Sequence, residues 1–208
     1  MANNTQDRDI QVAISFDTSG SMHHAIEEVR SRISQMIRQL KAGIPGIEFA
    51  VIAHGGYFDE NNDYSVRGVN FTSDEEHVAD FVNNVENTVG DVEPECYELM
   101  LWLVDQRLTW KSSSEKVLVV IGDSYPHALD DPQNKYGLDW KEEARRLVAK
   151  GVRVYGVQLR GHQKSTEFFL KLTGMSGGRH VQLSQCSVLP DVIMAICFRT
   201  KNEEKLQV

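Results

Sequence analysis

The sequence has few cysteines, no long apolar run and a shortage of basic residues. Its three cysteines, Cys96, Cys186 and Cys197, are an odd number without paired spacing, which argues against a disulfide framework or a zinc site. No secretory signal or membrane span is predicted, because the start is polar and every apolar run is short. The net charge of -8 argues against a nucleic-acid partner. We therefore expect a cytoplasmic protein with reduced thiols.

The remaining composition is typical of a soluble globular protein. The chain has 208 residues, of which 41% are hydrophobic and 25% charged, so a single domain can form a sizeable core. No repeat or low-complexity linker divides it. We expect a flexible N-terminus at residues 1–8, one domain at residues 9–198 and a charged C-terminal tail at residues 199–208.

Apolar runs and helical spacing alternate along the chain. The predicted strands span residues 10–16, 48–53, 65–71, 116–122, 152–159 and 179–183. The predicted helices span residues 22–41, 72–85, 94–108, 139–150, 166–173 and 188–198, and residues 72–74 cap the second of them. This alternation predicts an α/β fold that is Rossmann-like and doubly wound. Its central sheet is expected to be mostly parallel, with residues 65–71 as one short antiparallel edge strand and helices on both faces.

Hard oxygen donors follow two of the predicted strands. Asp17, Ser19 and Ser21 come directly after the first strand, and Asp123 follows the most apolar one. The carboxyl ends of parallel strands share one edge of a sheet, so these side chains are expected to lie together. Such donors suit Mg²⁺ or Mn²⁺, with Ca²⁺ as a further candidate. The alternative interpretation of the first turn is an N-cap of the following helix.

The D-x-S-x-S pattern after a buried strand resembles the metal-ion-dependent adhesion site of the von Willebrand factor A domain family. The resemblance covers roughly residues 8–198. Residues 121–127 resemble the second metal loop of that family. Residues 90–95 resemble its middle loop, in the variant that carries an acidic residue and Pro-Glu in place of threonine. This subtype is seen in intracellular members, including some attached to atypical alpha-type kinases.

The resemblance implies a metal-dependent protein-interaction domain that is not an enzyme. In such a site Ser19 and Ser21 bind the ion through neutral hydroxyls, and Asp17 and Asp123 hold it directly or through water. The ion then lacks one oxygen donor. A glutamate or aspartate carboxylate of a partner protein completes the octahedron.

The middle loop departs from the family pattern by one residue. The subtype usually has an aspartate two residues before the proline, where this chain has Val92, and Asp91 lies one position earlier. We assign Asp91 to the metal site and keep Glu93 and Glu95 as alternatives. The two glutamates have another interpretation as acids in the first turn of the next helix, where the helix dipole favours them. A carboxylate bound directly would make the ion less electrophilic and partner binding weaker.

Two other functions are weighed against this one. The chain has an alternative role as a regulatory or recruiting module for an ATPase or kinase, with a mainly structural metal. A metal-dependent hydrolase that uses Asp17 is the third hypothesis, but the sequence offers no evident general base for it. His127 follows the second metal loop, and contact with a bound partner at the rim of the site is one hypothesis for it.

Overall fold

The computed structural model describes residues 9–57, 64–88 and 93–205. These residues form six strands and six α-helices. The strands are β1 (Ile10–Asp17), β2 (Glu48–His54), β3 (Val66–Thr72), β4 (Glu115–Gly122), β5 (Val152–Leu159) and β6 (His180–Leu183). The helices are α1 (His23–Gly43), α2 (Glu75–Asn84), α3 (Tyr97–Arg107), α4 (Trp140–Ala149), α5 (Gln163–Ser176) and α6 (Leu189–Lys205).

The strands form one sheet in the order β3-β2-β1-β4-β5-β6. Only β3, at one edge, runs antiparallel to its neighbour β2, and the other neighbouring pairs are parallel. All eight residues of β1 are buried, as expected for a central strand covered on both faces. The predicted doubly wound, mostly parallel sheet with an antiparallel edge strand is therefore confirmed.

Helices cover both faces of the sheet and bury two separate apolar clusters. Alternate residues of a strand point to opposite faces, so Val12 and Ile14 belong to one cluster and Ala13 to the other. The first cluster contains side chains of α1, α2 and α6, and the second contains side chains of α3, α4 and α5. None of the helices among the described residues combines the length and apolar character needed to cross a bilayer.

Several helix boundaries differ from the prediction, including the start of α5, which lies at Gln163 rather than at residue 166. Helix α3 begins at Tyr97 rather than at residue 94, because the backbone of Glu95 pairs with Pro126 and keeps this segment extended. Helix α5 continues past Gly174 to Ser176 and is stopped by its C-cap Gly177, which has a left-handed φ of 69°. Helix α6 continues to Lys205, so residues 199–205, which were predicted as tail, are helical.

The strand order reverses between β1 and β4, and this reversal creates the edge where a site is expected. The chain goes from β1 to β2 on one side, and later enters β4 on the other side of β1. Phe16 of β1 is level with Ile121 of β4, so the turns that follow the two strands leave the sheet side by side. In open α/β sheets such a reversal opens a crevice beyond the carboxyl ends of the strands.

Candidate metal centre

The turn after β1 brings its predicted ligands together. Asp17 is fully buried, and its Oδ1 accepts a hydrogen bond from the Ser19 backbone N–H at 2.8 Å. The Oγ atoms of Ser19 and Ser21 lie 3.3 Å apart. Ser19 is buried, whereas Ser21 is exposed, so the turn presents its oxygens from the interior outwards.

Thr18 fixes this turn to the neighbouring segments. Its backbone N–H and its Oγ1 both donate to the carbonyl oxygen of His54, at 2.8 and 2.9 Å. The Thr88 N–H donates to the Thr18 carbonyl at 2.9 Å. Neither threonine was predicted to matter for the site, because no local pattern shows that their segments meet. The position of the ligand turn thus depends on contacts that are distant in sequence.

Asp123 lies beside the first turn, as predicted. The Ser21 side chain is close enough to the Asp123 carboxylate to affect its pKa, so the turns after β1 and β4 lie side by side. Burial raises the pKa of Asp123, the Ser21 side chain lowers it, and the negative charge of Glu93 raises it. Three of the predicted loop residues, Asp17, Ser21 and Asp123, therefore share one electrostatic environment.

Tyr97, at the start of α3, contacts the buried end of the site. Its hydroxyl donates to Asp17 Oδ2 at 3.2 Å. Burial raises the pKa of Asp17 to about 7, and the charge of Asp123 adds to that rise against the hydrogen bonds from Ser19 and Tyr97. A Cβ on Gly122 would overlap the Tyr97 hydroxyl, so glycine is required here for Tyr97 to reach Asp17.

In the middle loop, Glu95 is the buried carboxylate. Asp91 lies outside the described residues, so its assignment to the site stays a prediction. Glu95 is only 3% exposed, and its Oε2 has no hydrogen-bond partner among the described residues. Burial, followed by the charges of Asp17 and Asp123, raises its pKa to about 10. Because α3 begins at Tyr97, the interpretation of Glu95 as an acid in the first helical turn is wrong.

The backbone near Glu95 explains how this side chain reaches the interior. The Glu95 N–H donates to the Tyr125 carbonyl at 3.0 Å, and the residue forms a parallel bridge with Pro126. Glu93, two residues earlier, is exposed, and its Oε2 lies 2.5 Å from His162 Nε2. The two glutamates therefore have different environments, one inside the site and one at its rim.

His127 does not lie at the rim. It is 1% exposed, its Nδ1 lies 3.2 Å from Glu98 Oε1, and its backbone N–H donates to Glu98 Oε2 at 3.1 Å. The hypothesis that His127 contacts a partner is wrong, because the residue joins the β4 loop to α3 from within. His23 and His24, at the start of α1, are exposed, and His23 Nδ1 lies 2.8 Å from Asn87 Nδ2.

The donors assembled here fit a small divalent cation. Two carboxylates and two hydroxyls, from Asp17, Asp123, Ser19 and Ser21, are hard oxygen donors of the kind that Mg²⁺ and Mn²⁺ prefer. The unpartnered Oε2 of Glu95 and the raised pKa of Asp17 both indicate a shortage of positive charge in this interior. Within the described ranges, no three His, Cys, Asp or Glu side chains converge closely enough to hold a metal by themselves. The serine hydroxyls are therefore needed to complete a ligand set.

Comparison with known proteins identifies the domain type. Residues 11–190 match the model of the von Willebrand factor type A domain. Comparison with curated protein sequences gives no significant match.

Solved structures share the fold at low sequence identity. BatB from Bacteroides thetaiotaomicron matches with a TM-score of 0.64 at 13% identity, covering 93% of this chain and 99% of that one. A von Willebrand factor type A protein from Catenulispora acidiphila matches with a TM-score of 0.68 at 12% identity, covering 93% and 43%. Proximal thread matrix protein 1 from the mussel byssus, solved with a zinc-occupied MIDAS motif, matches with a TM-score of 0.66 at 12% identity, covering 92% and 46%. The chain thus spans less than half of the latter two.

Proposed function

This chain belongs to the von Willebrand factor type A domain family, whose members mediate protein interactions and often bind a divalent metal, and we propose that it is itself a metal-dependent protein-interaction domain. Asp17, Ser19, Ser21 and Asp123 hold the ion, and Glu95 supplies the contribution of the middle loop. A bound Mg²⁺ or Mn²⁺ supplies a Lewis-acidic position for an oxygen of an acidic side chain from the partner.

The observation that carries this proposal is a set of buried carboxylates without a cation. Asp17, Asp123 and Glu95 are 0%, 8% and 3% exposed, and no Lys or Arg among the described residues forms an ion pair with any of them. Burying charged groups without a partner is strongly unfavourable, since each loses its hydration. A divalent cation is the group that offsets this cost, and the neighbouring serine hydroxyls are ready to bind it.

The residues around the site favour binding over catalysis. His54 is fully buried, and burial lowers its pKa to about 3, so it is a weak base beneath the site. His127 is also buried, against Glu98. We therefore propose that the domain binds its partner without turnover. We propose a cytoplasmic location as well, since Cys96, Cys186 and Cys197 are all free thiols.

Isothermal titration with Mg²⁺ and Mn²⁺ tests the metal site. Ser19→Ala and Asp123→Ala remove a predicted ligand each and should weaken binding about tenfold or more, a change of about 1.4 kcal/mol or more. Ser31→Ala is the matched control, because Ser31 is an exposed serine of α1 whose hydroxyl donates only to the Glu28 carbonyl among the described residues. It should bind the metal as the native protein does.

Two outcomes would contradict the proposal. Equal metal affinity of the native protein and Ser19→Ala would remove the basis for the site assignment. Turnover of p-nitrophenyl phosphate with Mg²⁺ that disappears in Asp17→Asn would show a hydrolase instead of a binding domain.

A further inference from the structure

A group of basic side chains lies at the end of β5, next to the proposed metal site. Gly122 of β4 is level with Gln158 of β5, so Asp123 and the segment after Leu159 leave neighbouring strands at the same edge. This segment contains Arg160 and His162 and leads into α5, which carries Lys164. We call Arg160, His162, Lys164 and Tyr125 the β5–α5 rim.

The rim borders an open depression large enough for a short peptide segment. The depression has a volume of about 560 Å³ and is lined by Glu93, Tyr125, His162, Gln163, Lys164 and Glu167. Tyr125 forms its aromatic wall, with the His162 ring 5.5 Å away and edge-on. The Lys164 Nζ lies 5.3 Å from the centre of the Tyr125 ring, so this lysine is held above the ring by a cation–π contact.

Two cations, one lining the depression and one on the segment that precedes α5, are exposed to a bound partner. Glu93 Oε2 lies 2.5 Å from His162 Nε2, and Glu167 lies 3.8 Å from Lys171. Arg160 and Lys164 are exposed, and neither forms an ion pair within the described part of the chain. The charge of Arg160 lowers the pKa of Asp123, against a larger rise from the charge of Glu93, so Arg160 acts on the proposed metal site from the segment after β5.

The backbone at Arg160 is unfavourable for an arginine. Its φ is 57°, the one positive φ of a non-glycine residue in the described ranges. A side chain in this left-handed region costs on the order of 1 kcal/mol, and glycine would avoid that cost. Gly161, directly after it, takes such a conformation without strain. An unfavourable backbone that keeps a charged, exposed side chain beside a site points to a role in binding.

We propose that Arg160 and Lys164 bind a second acidic side chain of the same partner segment that reaches the metal site. This inference rests on the proposed function, because the first carboxylate is the one received there. The segment would lie from the Asp123 loop across Tyr125 into the depression. The protein itself carries a net charge of -8, so two exposed cations that are four positions apart and have no ion-pair partner among the described residues favour an acidic partner through local attraction.

Short labelled peptides provide the test, read by fluorescence anisotropy with Mg²⁺ present. One peptide has a single glutamate in a Gly-Ser background, and a series adds a second glutamate one, two, three or four positions later. At least one two-glutamate peptide should bind the native protein about fivefold to tenfold more tightly than the single-glutamate peptide, the range given by one Arg and one Lys contact to a carboxylate. The advantage should shrink as salt is raised.

The double variant Arg160→Gln/Lys164→Gln should lose this advantage while it keeps Mg²⁺-dependent binding of the single-glutamate peptide. Lys141→Gln/Arg145→Gln removes two exposed cations of α4 that are also four positions apart, and is the control that should keep the advantage. An equal advantage in both double variants would overturn the inference, as would a series in which no spacing gives one. A phosphoserine peptide that binds more tightly than every two-glutamate peptide would also overturn it.

The same measurements separate the two proposals. If the single-glutamate peptide binds equally with Mg²⁺ and with chelator, the metal-dependent function fails and the inference fails with it. If its binding needs Mg²⁺ but the second glutamate adds nothing, the function stands and only the role of the rim is wrong.

Discussion

Replacing Asp17 by asparagine should stabilise the metal-free protein while abolishing its response to Mg²⁺. Asp17 is fully buried, and burial together with the charge of Asp123 raises its pKa from 3.8 to about 7. A shift of about three units, at about 1.4 kcal/mol per unit, means that the ionised carboxylate opposes folding by up to about 4 kcal/mol. Asparagine keeps an oxygen to accept the Ser19 N–H and has no charge to bury.

The direction of the pKa shift determines the pH at which Asp17→Asn is more stable than the native protein. Because the pKa of Asp17 is raised in the folded protein, its contribution favours folding below about pH 4 and is lost as the pH rises through about 7. With chelator at about pH 8, Asp17→Asn should therefore be more stable than the native protein by about 2 to 4 kcal/mol. At about pH 3 the difference should become small, since Asp17 is then mostly protonated in both the folded and the unfolded protein.

Urea unfolding, followed by circular dichroism with chelator or with Mg²⁺, measures both effects. Mg²⁺ at about a hundred times its dissociation constant should stabilise the native protein by about 2.7 kcal/mol and leave Asp17→Asn unchanged. Asp74→Asn is the matched control, because Asp74 caps α2 on the surface and asparagine caps a helix equally well. If Asp17→Asn is less stable than the native protein in chelator at about pH 8, the reasoning about buried charge is refuted.

Two further substitutions test the buried contacts that position the loops of the site. Gly122→Ala should displace Tyr97 from Asp17, which costs about 1 to 3 kcal/mol of stability by overpacking and weakens Mg²⁺ binding; unchanged urea unfolding and metal titration would show that Tyr97 is not held there. His127→Ala removes a buried ring from beside Glu98, whose Oε2 keeps the backbone N–H of residue 127 as a donor, so the free energy of unfolding should fall by about 3 kcal/mol; a urea midpoint equal to the native one would show that the His127 side chain does not hold the β4 loop to α3.

The order of the elements follows from local sequence patterns, whereas the conformation of the middle loop of the site does not. The buried strands β1 and β4 are largely apolar runs, so their position and parallel pairing could be predicted from the sequence. Asp17 and Asp123 follow such strands directly, and their meeting at one edge then follows from the topology. Strand β3 mixes polar and apolar residues, as expected for an edge strand, and the structure leaves all seven of them partly or fully exposed.

Residues whose role depends on distant contacts could not be found in this way. Glu95 looked like the start of a helix, because a proline precedes it and acids suit the first turn. Its backbone instead pairs with Pro126, a residue 31 positions later, and this pairing directs the carboxylate inwards. Likewise, Tyr97 reads as an ordinary apolar position of α3, and only the path of β4 past Gly122 shows that its hydroxyl reaches Asp17.

In the proposed function, the negative charge of the domain makes the binding of an acidic partner depend strongly on the metal. The chain carries a net charge of -8, and Asp17, Asp123 and Glu95 place three carboxyl groups under the proposed binding surface. A partner that offers carboxylates would be repelled by such a surface at distances below the Debye length of about 8 Å. A divalent ion offsets two of these three charges at the point of contact, and the cations Arg160 and Lys164 lie on the segment that follows β5. Chelation would then do more than remove one bond: it would restore the full repulsion, so the affinity for an acidic peptide should fall more steeply than the loss of a single contact implies.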